Sequence, residues 1–195
     1  MTDLTGRRAL VTGGASGIGA ACTVALAKAG AHVIVADLNG DAARAQAELV
    51  GGEAWQVDLS DTAALATLSL DVDVIVNNAG IQHVTPIETF DPVMFSRILD
   101  LMVEAPFLLV RAALPHMYER NFGRIINLSS VHGLRASPYK SAYVTAKHGL
   151  EGFSKVTALE GGAHGVTSNC VNPGYVRTPL VEKQIVDQAK VHGIP

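Results

Sequence analysis

Short runs of apolar residues alternate with longer amphipathic stretches along the whole chain. The runs, rich in Val, Ile, Leu and Ala, predict strands at residues 8–12, 32–36, 54–57, 72–76, 124–128 and 166–171. The stretches between them predict helices at residues 18–29, 41–50, 61–68, 91–119 and 138–160, with a further helical segment from Leu180. Because strands and helices alternate, we expect a doubly wound, Rossmann-type α/β fold, a parallel sheet with helices on both faces.

Glycine and proline mark several of the predicted helix boundaries. Gly30 follows the first helix, and Asp91 with Pro92 is typical of an N-cap and a first helical turn. Within the long helical region, Pro106 and Pro115 are expected to disturb the helix. No repeat, linker or low-complexity tract interrupts the pattern, so residues 1–195 are predicted to form one domain.

The composition excludes several classes of protein. Hydrophobic residues make up 48% of the chain and charged residues 17%, which is too apolar for disorder. A net charge of -3 does not suggest a nucleic-acid-binding face. The polar start of the chain does not resemble a signal peptide, and charged residues interrupt every long apolar stretch, so no membrane span is expected.

Two cysteines, Cys22 and Cys170, lie far apart in the sequence. They are too few for a disulfide framework or a zinc site, and we expect reduced thiols in the core and no bound metal. Reduced cysteines favour a cytoplasmic protein.

A glycine-rich turn lies between the first predicted strand and helix. Its sequence, residues 12–19, is Thr-Gly-Gly-Ala-Ser-Gly-Ile-Gly. Glycine allows a pyrophosphate to approach the backbone, and the following helix N-terminus attracts an anion. Such a turn is weak evidence alone, but here it has the strand–turn–helix context of a dinucleotide site.

Asp37 ends the second predicted strand. A carboxylate there can bind the adenosine ribose hydroxyls and would repel a 2′-phosphate, so NAD is favoured over NADP. No Arg or Lys lies in Gly13–Ser16 or directly after Asp37 to offset that repulsion. The alternative is that Asp37 only begins a turn with Asn39 and Gly40.

Tyr143 and Lys147 lie four residues apart in the last long helix, so their side chains share a face. A free phenol has a pKa of about 10, and a nearby ammonium and an oxidised nicotinamide would lower it toward neutrality. Alone, such a pair is more typical of a helix surface. Ser129 and Ser130 follow the fifth strand, where parallel sheets bind ligands, and a hydroxyl there can position the substrate oxygen.

Together these motifs resemble the short-chain dehydrogenase/reductase family. The resemblance extends from Thr12 to Thr178 and includes Asp58, Asn77-Asn78-Ala79-Gly80 and Pro173-Gly174. It implies a catalytic set of Ser130, Tyr143 and Lys147, with Lys147 also on the nicotinamide ribose. The implied cofactor contacts are Thr12, Gly13, Ser16, Gly17, Ile18, Gly19, Asp37, Asp58, Leu59, Asn78, Ala79, Gly80, Tyr143, Lys147, Pro173, Gly174, Val176 and Thr178.

Within the family, four segments resemble the branch that interconverts D-3-hydroxybutyrate and acetoacetate with NAD. They are residues 77–84, 129–134, 140–143 and 178–185. The resemblance implies that the small hydroxy acid contacts Gln82, Ser130, His132, Lys140, Tyr143 and Gln184. A short acid has little apolar surface, so contacts to its carboxylate must provide most of its orientation.

Other interpretations remain open at this point. His132 is also consistent with a capping or core histidine, Lys140 with a solvated helix charge, and Gln184 with a surface glutamine. The sequence is also consistent with a 3-oxoacyl thioester reductase or a sugar-alcohol dehydrogenase of the same family, or with a catalytically weak NAD-binding module.

Three departures from the family pattern accompany the resemblance. Met102 stands where many members have an asparagine that holds a water in the proton path, and a thioether cannot replace an amide. The segment of residues 58–77 is shorter than is usual in the family. The chain ends at Pro195, before the family's last strand and helix, which the resemblance implies add a sheet edge and part of a homotetramer interface; an exposed edge would favour aggregation.

Overall fold

A computed structural model describes residues 3–178, 181, 182, 185 and 189. The strands are β1 (Arg8–Thr12), β2 (His32–Asp37), β3 (Glu53–Gln56), β4 (Val74–Asn77), β5 (Gly123–Leu128) and β6 (Val166–Val171). They form one parallel sheet in the order β3-β2-β1-β4-β5-β6. The strand order reverses direction between β1 and β4, so ligands are expected at the carboxyl ends of these two strands.

The helices are α1 (Gly17–Lys28), α2 (Gly40–Val50), α3 (Thr62–Leu65), α4 (Pro92–Leu99), α5 (Ala105–Glu119) and α6 (Ser141–Gly161). Single 3-10 turns occupy Ile87–Thr89, Val131–Gly133 and Gly162–His164. This arrangement confirms the doubly wound α/β fold predicted from the sequence.

Alternating side chains of the central strand enter two separate cores. Ala9 and Val11 of β1 pack in a cluster with residues of α1 and α2, whereas Leu10 packs in a cluster with residues of α5. Successive strand residues point to opposite faces, so a continuous apolar run is what a strand covered on both faces requires. The rigid sheet between these cores holds the site at its carboxyl edge.

Several predicted helix boundaries were wrong. The predicted helix over residues 91–119 is divided by a π-helical turn, Asp100–Glu104, while Pro115 lies inside α5 without ending it. The predicted helix over residues 61–68 is only α3. The last long helix begins at Ser141 rather than at residue 138, because Tyr139 has a φ of 67° that a helix cannot contain.

Both cysteines are free thiols, as predicted, but each is half-buried rather than fully within the core. Among the described residues, no helix combines the length and the apolarity needed to cross a bilayer.

A buried carboxylate fixes the amino-terminal edge of the sheet. Asp73, 2% exposed, accepts hydrogen bonds at 2.9 Å from the Arg8 backbone N–H and at 3.2 Å from Arg7 Nη1. Arg120 Nε lies 2.9 Å from the same carboxylate. Burial alone would raise the pKa of Asp73, but the bonds from Arg8 and Arg7 and the charge of Arg120 hold it below the usual value.

We expect Asp73→Asn to lower the free energy of unfolding at pH 7 by about 2 kcal/mol or more, because it leaves buried donors and cations without their anion. Since the folded-state pKa is lowered, the wild-type advantage is present above the ordinary carboxyl pKa and is lost as pH falls through the folded value. Urea unfolding at several pH values measures both effects. Asp71→Asn, at a carboxylate that is 81% exposed, is the matched control and should change stability by less than about 0.5 kcal/mol.

Candidate active site

The turn between β1 and α1 has the backbone geometry of a phosphate cradle. Gly13 and Gly17 have φ values of 59° and 52°, in the left-handed region that favours glycine. A Cβ on Gly19 would lie 2.1 Å from the Gly13 carbonyl oxygen, so α1 packs directly on the turn. Any larger side chain at Gly19 would push the helix away from its place.

The first turn of α1 is left available for an anion. Ser16 is the N-cap residue, but its side chain makes no capping hydrogen bond, and the first turn contains no acidic residue. The backbone N–H groups of this turn therefore point outward with the positive end of the helix dipole. Residues Gly13, Ser16, Gly17, Ile18, Asn78, Ala79, Gly80 and Thr178 surround a cavity of about 150 Å³ at this helix end.

Thr12 and Asn78 hold the two central loops together. Thr12 is only 2% exposed, and its hydroxyl accepts hydrogen bonds from the N–H groups of Asn78 (2.9 Å) and Ala79 (3.0 Å). The Asn78 amide donates in return to the carbonyl oxygens of Thr12 and Gly13. Thr12 therefore holds the loop after β4 against the glycine-rich turn, and Asn78, Ala79 and Gly80 of that loop line the cavity.

A second cleft, of about 240 Å³, continues from the cradle toward β2 and β3. Asp37, Asp58 and Leu59 line it, as expected of an adenosine site. Arg97 of α4 also lines this cleft, and sequence reasoning missed it. Its charge helps to lower the pKa of Asp58, after the two hydrogen bonds from Ser60. Nothing in the spacing of Arg97 along α4 indicated that it would reach a loop after β3.

Asp37 forms the turn of the alternative interpretation and also lines the cleft. Its Oδ1 accepts the Asn39 N–H at 3.0 Å, which is the turn that the alternative interpretation described. Its Oδ2 accepts the Ala15 N–H at 3.2 Å, which fixes the carboxylate beside the glycine-rich turn and in the cleft. Each carboxylate oxygen retains accepting capacity for a ribose hydroxyl.

The two residues predicted to move the substrate proton, Tyr143 and Lys147, lie on α6. Lys147 is 5% exposed, donates a short hydrogen bond to the Leu128 carbonyl oxygen and lies 5.5 Å from the centre of the Tyr143 ring. Burial lowers the pKa of Lys147 to about 8, although Cys170 and Glu151 act in the opposite direction. Lys147 is therefore a buried lysine whose ammonium lies beside the Tyr143 ring.

The expected lowering of the Tyr143 pKa is not present in the protein alone. Burial raises the pKa of the phenol, and the hydrogen bond with Ser130 offsets only part of that rise. The Lys147 ammonium lies 5.5 Å from the centre of the Tyr143 ring, yet the pKa of the phenol stays above its ordinary value. The predicted lowering also involved the positive charge of an oxidised nicotinamide, and that part stays a prediction.

Ser130 and His132 form one hydrogen-bonded unit beside Tyr143. Ser130 Oγ accepts the backbone N–H of His132 at 3.1 Å and lies 3.4 Å from His132 Nδ1. His132 Nε2 lies 2.9 Å from Ser137 Oγ, and the imidazole stands edge-on to the Tyr143 ring with 6.1 Å between centroids. The interpretation of His132 as a capping or core histidine is partly right, because the residue is buried and its ring nitrogens contact serine hydroxyls of the protein itself.

A small polar pocket, of about 60 Å³, opens in front of Tyr143. Its lining includes Gln82, Ser130, His132 and Gly174. Gln82 Nε2 is buried and has no hydrogen-bond partner among the described residues. A buried donor without an acceptor is unfavourable, so this amide indicates a site for an oxygen of a ligand.

Lys140 is buried, so its interpretation as a solvated helix charge was wrong. It is 2% exposed and occupies the N-cap position of α6. Burial lowers its pKa, and its charge reaches His132, whose pKa it helps to lower. An ammonium at a helix N-terminus opposes the helix dipole, so this end of α6 is strongly positive. Gln184 lies outside the described residues.

The remaining predicted cofactor contacts lie on one loop after β6. Thr178 packs against Gly17, whose Cβ position would be 3.4 Å from the threonine methyl. Val176 and Thr178 border a groove beside α1. The carbonyl oxygen of Pro173 accepts the Val131 N–H at 3.0 Å, which ties this loop to the Ser130 segment.

Met102 lies in the π-helical turn directly behind the catalytic helix. It is 1% exposed and packs with Ile98, Ala142 and Ala146. Its side chain also contacts Gly80, where a Cβ would lie 3.4 Å from the methionine Cε. Apolar packing therefore fills the position at which the family resemblance implies an amide, and π-helical turns of this kind often accompany functional sites.

Comparison with known proteins agrees with this geometry. The family model described as short chain dehydrogenase matches residues 7–189. A D-beta-hydroxybutyrate dehydrogenase of Cupriavidus necator is 46% identical, over 98% of this chain and 79% of the relative. A D-beta-hydroxybutyrate dehydrogenase of Rhizobium meliloti is 43% identical, over 96% of this chain and 78% of the relative.

Among solved structures, a 4-hydroxyisoleucine dehydrogenase complexed with NADH superposes with a TM-score of 0.85 at 33% identity. The match covers 94% of this chain and 79% of that one.

Proposed function

Since the chain belongs to the short chain dehydrogenase family, whose members are NAD(P)-dependent oxidoreductases, we propose that it interconverts D-3-hydroxybutyrate and acetoacetate with NAD. The observation that carries the choice of substrate is the buried lysine Lys140 at the N-cap of α6, whose charge acts on His132 in the lining of the small pocket. A buried cation there needs an anion, and a short hydroxy acid supplies one.

In this proposal the substrate carboxylate contacts Lys140, the unpartnered amide of Gln82 and, from outside the described residues, Gln184. His132 and Ser130 line the remaining pocket. A volume of about 60 Å³ matches a four-carbon acid better than a long acyl chain, and the similarity to two D-beta-hydroxybutyrate dehydrogenases supports the same choice.

The catalytic roles follow from the hydrogen bonds around Tyr143. Ser130 positions the substrate hydroxyl, and Tyr143 accepts its proton. Lys147 stabilises the phenolate with its ammonium and binds the ribose hydroxyls of the cofactor. When bound, the oxidised nicotinamide supplies the acceptor for the hydride. Asp37, Asp58 and the glycine-rich turn bind the adenosine and pyrophosphate parts.

We expect the purified chain to produce absorbance at the NADH band with D-3-hydroxybutyrate and NAD, and much less with NADP or with the 3-hydroxybutyryl thioester. The thioester lacks the carboxylate that Lys140 would bind. Lys140→Met should raise the KM for hydroxybutyrate about tenfold or more while changing the rate on its uncharged methyl ester less. Lys155→Met, at an exposed lysine of the same helix, is the control.

The proposal fails if the thioester is oxidised faster than the free acid, which would favour a 3-oxoacyl thioester reductase. It also fails if NAD binds but no substrate yields NADH, which would favour a non-catalytic binding module.

A further inference from the structure

The proton that Tyr143 takes from the substrate must leave the phenol before the next oxidation. On one side of Tyr143 the described neighbours are apolar, since it packs with Met102, Ala142 and Ala146 in a buried cluster. None of these side chains can carry a proton. The Lys147 ammonium lies 5.5 Å from the centre of the Tyr143 ring and donates to the Leu128 carbonyl oxygen, and the residue is 5% exposed.

On the other side of Tyr143, polar groups follow one another toward solvent. The phenol interacts with Ser130, Ser130 Oγ lies 3.4 Å from His132 Nδ1, and His132 Nε2 lies 2.9 Å from Ser137 Oγ. Ser137 is partly exposed, whereas Ser130 and His132 are buried. The series therefore begins at the reacting oxygen and ends at the protein surface.

We propose that Ser130, His132 and Ser137 form the path by which the Tyr143 proton reaches solvent, with His132 as its titratable member. This inference rests on the function proposed above, because it concerns the proton released in that oxidation. It assigns to His132 the passage of a proton received through Ser130, in addition to its place in the lining of the pocket.

The bonding of His132 supports this assignment. The two ring nitrogens lie 3.4 Å and 2.9 Å from serine oxygens, so the single N–H of a neutral ring and its lone pair each have a partner. Ser130 Oγ accepts the His132 backbone N–H, which keeps the hydroxyl beside the ring and leaves its own proton to donate. Among described residues, the titratable groups facing the imidazole are Lys140 and Tyr143. Burial and the Lys140 charge lower the pKa of His132, so the ring is neutral at pH 7 and can accept at one nitrogen while donating at the other.

The proton balance of one turnover is complete. The substrate O–H bond breaks and a Tyr143 O–H bond forms. The phenol then gives its proton to Ser130 Oγ as the Ser130 hydroxyl proton passes to His132 Nδ1, and the Nε2 proton passes through Ser137 Oγ to water. One proton enters and one leaves. The path is ready again once the imidazole changes tautomer and the Ser130 hydroxyl rotates.

The test compares His132→Gln with the wild-type chain. Glutamine can keep hydrogen bonds to both serines but cannot exchange a proton at neutral pH. We expect the rate of the first NADH formed per site to change less than about twofold, because Tyr143 still accepts the substrate proton. We expect steady-state kcat to fall about tenfold or more with KM nearly unchanged, because the phenol proton is then trapped.

A second variant shows whether the imidazole itself is needed. His132→Ala should be slow in steady state, and millimolar imidazole should restore kcat in proportion to its concentration. His148→Gln, at an exposed histidine one residue after Lys147, is the matched control and should leave all rates unchanged.

A measurement on the wild-type protein needs neither turnover nor a variant. The nitrogen chemical shifts of His132 in the cofactor-free protein should show a neutral ring at pH 7 that is protonated at Nε2. An imidazolium, or a ring protonated only at Nδ1, would overturn the relay.

The kinetic outcomes separate the two proposals. A rise in KM with kcat unchanged in His132→Gln, or no change in either, overturns the relay and leaves the proposed function standing. Absence of wild-type activity on D-3-hydroxybutyrate overturns the proposed function, and the relay falls with it.

Discussion

Tyr143→Phe is expected to lower kcat for the oxidation of D-3-hydroxybutyrate about 1000-fold. The phenylalanine ring keeps the packing against Ala142 and Met102 but removes the hydroxyl that is proposed to accept the substrate proton beside Ser130. General base catalysis contributes roughly a hundred- to ten-thousandfold, which sets the size of the effect. Steady-state NADH absorbance measures it.

Tyr118→Phe is the control for this change, since it removes the same hydroxyl from a ring that stacks on His164, on α5 and away from the site. The affinity for NAD, measured by fluorescence titration, should fall less than tenfold in Tyr143→Phe because the cradle and Asp37 are untouched. Retention of wild-type kcat would remove Tyr143 from the catalytic set. A large loss of NAD affinity with kcat intact would assign it to binding alone.

The sheet and the cofactor cradle were predictable from local sequence. β1 and the turn after it follow from an apolar run and closely spaced glycines, and both signals act over fewer than ten residues. The strand assignment also predicts that Ala9 and Leu10 point to opposite faces of the sheet, and they do lie in different cores. Such features need no knowledge of distant neighbours.

The start of α6 was not predictable in this way. Pro138 suits a first helical turn, so the pattern favoured a helix from residue 138. In the structure the Tyr139 carbonyl oxygen accepts the Thr85 N–H at 3.0 Å, and Tyr139 adopts a positive φ. A contact between segments more than fifty residues apart in the printed sequence therefore delays the helix until Ser141.

The electrostatic character of the site also depended on long-range packing. A lysine before a helix is ordinarily solvated, yet Lys140 is buried, and that burial is what makes it a candidate for the carboxylate. The sequence suggested His132 as a ligand, but the two serines that engage its ring appear only in three dimensions. Arg97 likewise lines the same cleft as Asp58, although α4 follows that residue by more than thirty positions in the sequence.

Asp37→Asn is expected to lower the ratio of kcat/KM for NAD to that for NADP about 100-fold. Asp37 lies in the adenosine cleft, and its charge is placed for the two ribose hydroxyls. Loss of the charge-assisted hydrogen bonds should lower kcat/KM for NAD by roughly tenfold or more. Loss of the repulsion toward the 2′-phosphate should raise kcat/KM for NADP by a similar factor. Asparagine keeps one side-chain oxygen for the Ala15 or Asn39 N–H, so the turn itself should survive.

The size of this shift depends on how much of the selectivity is electrostatic. Arg97 lines the same cleft and could attract a 2′-phosphate, so in the wild-type chain the Asp37 carboxylate must outweigh a cation. Repulsion between Asp37 and the phosphate should therefore weaken as salt is raised, whereas the hydrogen bonds to the ribose should not. Measuring kcat/KM for both cofactors at low and high salt separates the two contributions.

Asp41→Asn, four residues along and 93% exposed, makes the same chemical change outside the cleft and should leave the ratio within twofold. If Asp37→Asn leaves the preference for NAD over NADP unchanged, Asp37 has only its turn-forming role, and other residues of the cleft distinguish the two cofactors.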